Sequence, residues 1–190
     1  MNKRVGFTLA EVLITLVIIG VIAAMTVPTL MNNTQSQEYR TGIKKAIAML
    51  NQAVTMHYAL EGKLMSDYTS NDQYRDSVFV KRLNVIRTAT SSSFDGAATT
   101  ASWFYTADGM KFGVVNYASG TCTADGLGFC ANILIDVNGD KRPNQATTVA
   151  TNPKDSYVAD LYANRVVPAN RTYASDTYVT QDVMYDSGNL

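Results

Sequence analysis

The chain has 190 residues, of which 46% are hydrophobic and 17% are charged, and its 16 basic side chains balance its 16 acidic ones. This size and composition predict one membrane helix and one modest soluble domain. The balanced charge argues against a dedicated nucleic-acid site, which normally has a basic excess. Because the sequence has no glycine-rich phosphate loop, no nucleophile motif with a partner histidine and no metal-protease pair, we expect a protein that is not an enzyme.

The N-terminal part of the chain predicts a membrane-spanning helix. Lys3 and Arg4 precede an apolar span, Phe7 to Leu30, which reaches the ~20 residues that cross a bilayer as a helix. Because basic residues favour the cytoplasmic side, we expect the rest of the chain to continue outward. Glu11 lies inside this span, where a carboxylate is costly and needs a partner.

Two simpler explanations of this N-terminus fit less well. A secretory signal peptide needs a cleavage site of small residues, but Val27 is followed by Pro-Thr-Leu-Met-Asn-Asn. A plain signal anchor remains compatible with the hydropathy, but it gives Glu11 no function.

A basic leader ends at Gly6 and is followed by Phe7, by Glu11 and by an apolar helix that contains Pro28. This arrangement resembles the processing site of type IV pilins and of type II secretion pseudopilins. The resemblance implies that a prepilin peptidase cleaves between Gly6 and Phe7 and methylates the new N-terminal Phe7. It also implies that Pro28 bends the helix. The implied function is a structural subunit that polymerises with copies of itself or with other pilins. The alternative is a minor pilin that acts as a binding or adhesion module at a filament tip, or in DNA uptake.

The resemblance gives Glu11 a role in assembly. Cleavage exposes an ammonium group on Phe7 at membrane depth, and a carboxylate from a neighbouring subunit can neutralise it. The alternative is that Glu11 reaches the lipid headgroups from the first helical turn, where an acid also suits the helix dipole.

Four segments follow from these expectations: residues 1–6 as leader, 7–30 as membrane and assembly helix, 31–62 as its amphipathic continuation, and 63–190 as a soluble β-rich domain. We expect a single-pass protein of the inner membrane, with its C-terminal domain in the periplasm or outside. After assembly, the subunit would belong to an extracellular filament.

The helix is predicted to continue beyond the membrane, from Thr34 to a stop at Gly62. One face carries apolar residues at helical spacing: Ile43, Ile47, Leu50 and Val54. His57 falls close to this face, where we expect a packing residue rather than a catalyst.

The remainder of the chain predicts a small antiparallel sheet. Asp76 to Arg87 is compatible with a short helix, and 88–102 has the composition of a loop. Asp108-Gly109 indicates a tight turn between strands at 103–107 and 110–115. Further strands are expected at 131–137 and 157–162. Three or four strands on one long helix make an α+β fold, which is also the pilin architecture. The stretch 171–190 is either an edge strand or an exposed tail.

Cys122 and Cys130 are the only cysteines. Outside the cytoplasm disulfides persist, so we expect a bridge that closes the short loop between them rather than free thiols.

The segment from Asp136 to Asn144 places oxygen side chains at alternate positions, as Ca²⁺ loops do. It departs from the EF-hand pattern, because Lys141 stands where the sharp-turn glycine belongs. It resembles the D-x-N-G-D segment of many pilin-like proteins. The sequence therefore leaves two possibilities for this segment. It is either an Asx-rich turn without metal or a Ca²⁺ site formed by Asp136, Asn138, Asp140 and Asp155.

Overall fold

The computed structural model describes residues 6–115, 121–150, 152–173 and 176–185, without the side chains of Thr29, Asn32 and Asn33. The predicted leader residues 1–5, and residues 186–190 of the predicted tail, lie outside these ranges. The chain divides into two compact units at Glu38, and helix α1 contributes to both.

The first unit is dominated by α1, which runs from Leu9 to Glu61 and remains helical at Pro28. Within its apolar part the hydroxyl of Thr15 donates to the carbonyl oxygen of Val12, and that of Thr26 donates to Ile22. These bonds satisfy the two hydroxyl groups without solvent, which suits a helix surrounded by lipid. The bend expected at Pro28 stays a prediction.

In the second unit, α1 buries the face that the sequence predicts. Four residues of this face are each at most 6% exposed: Ile43, Ile47, Leu50 and Val54. The helix ends at Glu61, where Gly62 adopts a φ of 67° and its N–H donates to the carbonyl oxygen of Tyr58. A positive φ costs glycine little, so this residue ends the helix as expected.

The sheet has six antiparallel strands in the order β1-β2-β3-β4-β5-β6. Their bounds are Val85–Phe94, Ala97–Thr106, Lys111–Val115, Phe129–Asp136, Ser156–Tyr162 and Val166–Pro168. A separate ribbon pairs β7 (Asn170–Tyr173) with β8 (Asp176–Val179), and the helix Thr180–Tyr185 follows it. The α+β class with a long N-terminal helix is confirmed, although the sheet is larger than the three or four strands predicted.

Residues 88–102 do not form the predicted loop. They belong to β1 and β2, which are joined by a tight turn at Asp95 and Gly96 with φ values of 52° and 74°. Thr and Ser are compatible with strands, and Asp-Gly favours a hairpin turn, so the prediction from composition was wrong here. The helix predicted at Asp76 to Arg87 was also misplaced. Helical turns extend over 71–82, and the chain already enters β1 at Val85.

The two faces of the sheet belong to two apolar clusters. One face packs on α1 and includes Phe104, Phe112 and Ile133. The other face belongs to a cluster centred on Trp103. In this cluster the ring of Phe94 stacks on the ring of Tyr178 from β8, with the two centroids 5.8 Å apart. The predicted tail is therefore partly a structural element, because Tyr178 is only 1% exposed.

Candidate functional site

The predicted cleavage position lies in open, non-helical backbone. Gly6, Phe7 and Thr8 precede α1, and a Cβ added to Gly6 would meet no atom within 4 Å. The side chain of Phe7 is 91% exposed. In the part of the chain that the structure describes, no neighbouring element obstructs the Gly6–Phe7 bond.

Glu11 is held by the start of its own helix. Its Oε2 accepts hydrogen bonds from the backbone N–H of Thr8 at 2.8 Å and from the Thr8 hydroxyl at 2.9 Å. In return, the N–H of Glu11 donates to the Thr8 hydroxyl oxygen at 3.3 Å. This reciprocal arrangement is a capping box, and the Thr-x-x-Glu spacing is its signal in the sequence. These contacts place Glu11 in the first turn of α1, and both its role in assembly and its reach to the lipid headgroups stay predictions.

The apolar segment that follows is exposed in the part of the chain that the structure describes. Leu9–Pro28 has a mean hydropathy of 2.5 over 20 residues, and none of it is buried. It is long and apolar enough to cross a membrane by length and composition alone. A large exposed apolar surface is typical of a segment that contacts a membrane or another protein.

The two cysteines are joined. A disulfide links Cys122 to Cys130, which lies fully buried in β4, and closes the loop between them. At the tip of that loop Leu127 is 83% exposed.

The acidic turn after β4 contacts a lysine that the sequence motifs do not indicate. Nζ of Lys111 lies 3.1 Å from Oδ2 of Asp136 and 3.1 Å from Oδ1 of Asp140, and it donates to the carbonyl oxygen of Ser93 at 2.7 Å. The side chains of Lys111 and Asp136 are both fully buried. Asp140 is more exposed and also pairs with Arg87 at 3.1 Å. No local pattern around the turn points to Lys111, because it comes from a different strand, β3.

Burial raises the pKa of Asp136 to about 7, and the neighbouring ammonium of Lys111 opposes this shift. The charge of Asp155 adds to the increase. The ionised form of Asp136 therefore depends on the lysine beside it.

The other two predicted metal ligands contact each other instead. Asp155 accepts hydrogen bonds from Nδ2 of Asn138 at 3.0 Å and from the N–H groups of Asn144 at 2.7 Å and Gln145 at 2.8 Å. The N–H of Asn138 donates to Asp136 at 3.2 Å. Backbone amides thus stabilise the turn, as in an Asx-rich loop.

The turn as arranged does not fit Ca²⁺, which takes six to eight oxygen ligands. Among the described residues, no group of three or more His, Cys, Asp or Glu side chains is placed to hold a metal ion. The oxygens of Asp155 accept N–H groups, and those of Asp136 and Asp140 face an ammonium. Three oxygens of this turn, Oδ1 of Asn138, Oδ1 of Asn144 and Oδ2 of Asp136, are buried without a hydrogen bond among the residues described, and the last of them is ion-paired with Lys111.

Comparisons with known proteins agree with the N-terminal features. Residues 1–27 match the family model of the prokaryotic N-terminal methylation motif. The chain is similar to proteins named type II secretion system core protein G. That of Vibrio cholerae serotype O1 is 32% identical over 84 residues, which cover 44% of this chain and 54% of the relative. The protein of Aeromonas hydrophila is 30% identical over 96 residues, which cover 43% of this chain and 66% of the relative.

The corresponding protein of Escherichia coli (strain K12) is 38% identical over 50 residues, covering 26% of this chain and 34% of the relative. The chain thus spans between about a third and two thirds of the length of these relatives. No solved structure matches the chain. The chain carries a prepilin-type N-terminus and is homologous, over part of its length, to the type II secretion pseudopilin core protein G.

Proposed function

We propose that the chain is a structural subunit of a pilus-like or type II secretion filament. A prepilin peptidase cleaves it between Gly6 and Phe7 and methylates Phe7, and the mature subunit polymerises through residues 7–30. The observation that carries the proposal is the unburied segment Leu9–Pro28, which directly follows the Gly-Phe site inside the methylation motif. An apolar surface of this length has two stable environments, a bilayer and a bundle of similar helices, and a filament subunit moves from the first to the second.

The membrane topology follows from the same segment. The unassembled subunit crosses the inner membrane once, with its N-terminus in the cytoplasm and residues 63–190 in the periplasm. The disulfide between Cys122 and Cys130 supports an oxidising location for this domain. Assembly then carries the domain outward as part of a filament.

Glu11 links processing to assembly. In the single chain its carboxylate accepts the N–H of Thr8, one residue beyond the amino group that cleavage would create on Phe7. Burying a carboxylate and an ammonium together costs less free energy than burying either charge alone. We infer that Glu11 exchanges part of its capping contact for the ammonium of a neighbouring subunit, which fixes the axial offset between helices.

Processing can be tested in cells that contain or lack a prepilin peptidase. The proposal predicts a mature chain that begins at Phe7 only where the peptidase is present. Gly6→Val should retain the leader, because a branched side chain obstructs the peptidase at the bond it must approach closely. Gly20→Val, which alters a glycine inside α1 with open space around it, is the control and should still be processed. Equal leader removal from Gly6→Val and Gly20→Val would refute the assignment of the cleavage site.

A further inference from the structure

Lys111 lies in a cage of the kind that usually holds a small cation. The ammonium group contacts two carboxylates and one carbonyl oxygen, at 2.7 to 3.1 Å. The centre of the Trp103 ring lies 5.6 Å from Nζ and closes a further side. The ammonium donates hydrogen bonds to the carbonyl oxygen of Ser93 and to Oδ1 of Asp140, and it forms an ion pair with Oδ2 of Asp136.

The cage joins parts of the chain that are distant in sequence. Lys111 starts β3, Ser93 lies near the end of β1, and Asp136 ends β4. The ammonium therefore connects the β1–β2 hairpin to the turn that follows β4. An unpaired charge in this buried position would be very unfavourable, so each partner requires the other.

We propose that Lys111 is the built-in cation of the acidic turn, and that it takes the place of Ca²⁺. Alternating carboxylates repel each other unless a cation compensates them, and the protein supplies that cation from its own β3 strand. A divalent ion bound to Asp136 and Asp140 would lie close to a buried ammonium and would be repelled by it. Asp155, the remaining carboxylate predicted as a ligand, is already stabilised by three N–H groups.

The proposal predicts a soluble domain whose stability does not depend on metal. This is independent of the proposed function, because filament assembly uses the N-terminal segment. The two buried amide oxygens of Asn138 and Asn144 are the groups that would favour the opposite result. They have no partner among the described residues, and a bound Ca²⁺ would have to recruit them.

The test follows thermal unfolding of the full chain in detergent micelles. The probe is the fluorescence of Trp103, the only tryptophan, which is buried beside the cage. We expect the same midpoint in millimolar Ca²⁺ and in chelator. An ion bound at a hundredfold its dissociation constant would instead raise the midpoint by roughly 5–10 °C. Such an increase in the unmodified chain would overturn the proposal.

A variant pair tests the lysine itself. Lys111→Met leaves the buried carboxylate of Asp136 without its cation and should lower the midpoint by about 10 °C, or prevent folding. Lys45→Met is the matched control, because it removes an exposed ion pair with Asp108 and should shift the midpoint by no more than about 3 °C. If Lys111→Met were as stable as Lys45→Met, the ammonium would not be required. The comparison in Ca²⁺ and chelator remains decisive if Lys111→Met does not fold.

Discussion

Glu11 is the residue on which the proposed assembly depends most directly. Glu11→Ala removes the carboxylate that a neighbouring ammonium needs, so we expect a normal amount of subunit in the membrane and few filaments. Glu38→Ala removes the next acid along α1, outside the apolar segment, and should assemble normally. Quantifying sheared filaments against membrane-bound subunit measures both. Wild-type filament yield from Glu11→Ala would exclude the inter-subunit ion pair.

The Glu11→Ala variant also loses the capping box with Thr8, so the loss of helix stability needs its own control. Thr8→Ala removes the hydroxyl of the cap and retains the carboxylate, at a cost to the helix of about 1 kcal/mol. If the ion pair is what matters, Thr8→Ala should assemble far better than Glu11→Ala. Equal loss in the two variants would assign Glu11 to helix capping alone.

His57, the only histidine, gives the folded domain a defined pH dependence. It is fully buried and shares a 2.7 Å hydrogen bond with the hydroxyl of Tyr68. Burial lowers the pKa of His57 below its ordinary value, more than the charge of Glu61 raises it. The folded state therefore keeps His57 neutral to a lower pH than the unfolded chain, which binds a proton below about pH 6.5.

We expect the free energy of unfolding to fall as the pH decreases from about 7 to 5, because the unfolded state gains the proton of His57 at a higher pH than the folded state does. His57→Gln retains a polar partner for Tyr68 but does not titrate, and it should lack this contribution. Denaturant titrations followed by Trp103 fluorescence would measure both proteins. An identical pH dependence in both would show that His57 titrates alike in the folded and unfolded states.

At the scale of the element, the disulfide anchors the connection into β4. Replacing both Cys122 and Cys130 by serine should lower the free energy of unfolding by about 2 kcal/mol, as expected for a short closed loop. Processing at Gly6 should not change, because the cleavage site lies in the other compact unit. A reducing agent should produce the same loss in the unmodified chain and none in the variant. A variant as stable as the wild type would show that the bridge does not contribute to stability.

The elements differ in how far the sequence predicted them. The helix α1 was predictable, because its apolar residues recur every three or four positions and Gly62 marks its end. The β1–β2 hairpin was missed, although Asp95-Gly96 is as strong a turn signal as Asp108-Gly109. Serine, threonine and alanine dominate its strands, and the partners that make them a sheet lie elsewhere in the chain.

The site residues show the same difference. The spacing of Gly6, Phe7 and Glu11 is a local pattern, and residues 1–27 match the methylation motif, whereas the roles of the three residues stay predictions. The oxygens of the acidic turn are also a local pattern, and they indicate that a cation is needed without indicating its source. Lys111 belongs to another strand and meets Asp136 only through the pairing of β3 with β4, which the local pattern could not specify.

The whole molecule combines a unit suited to apolar surroundings with a folded, disulfide-bonded domain. The first is unburied over Leu9–Pro28, and the second has a core on each side of its sheet. This division supports a subunit that is inserted as a membrane protein and used as a filament component. A major subunit would dominate sheared filaments, whereas a minor pilin at the tip would be scarce in them.

The N-terminal peptide of the assembled form tests the central claim most directly. Filaments would be sheared from cells, separated from membranes and digested, and the N-terminal peptide identified by mass spectrometry. The account predicts a peptide that begins at Phe7 and carries one methyl group on its amino nitrogen. Filaments built from chains that begin at Met1, with Gly6 and Phe7 still joined, would contradict it.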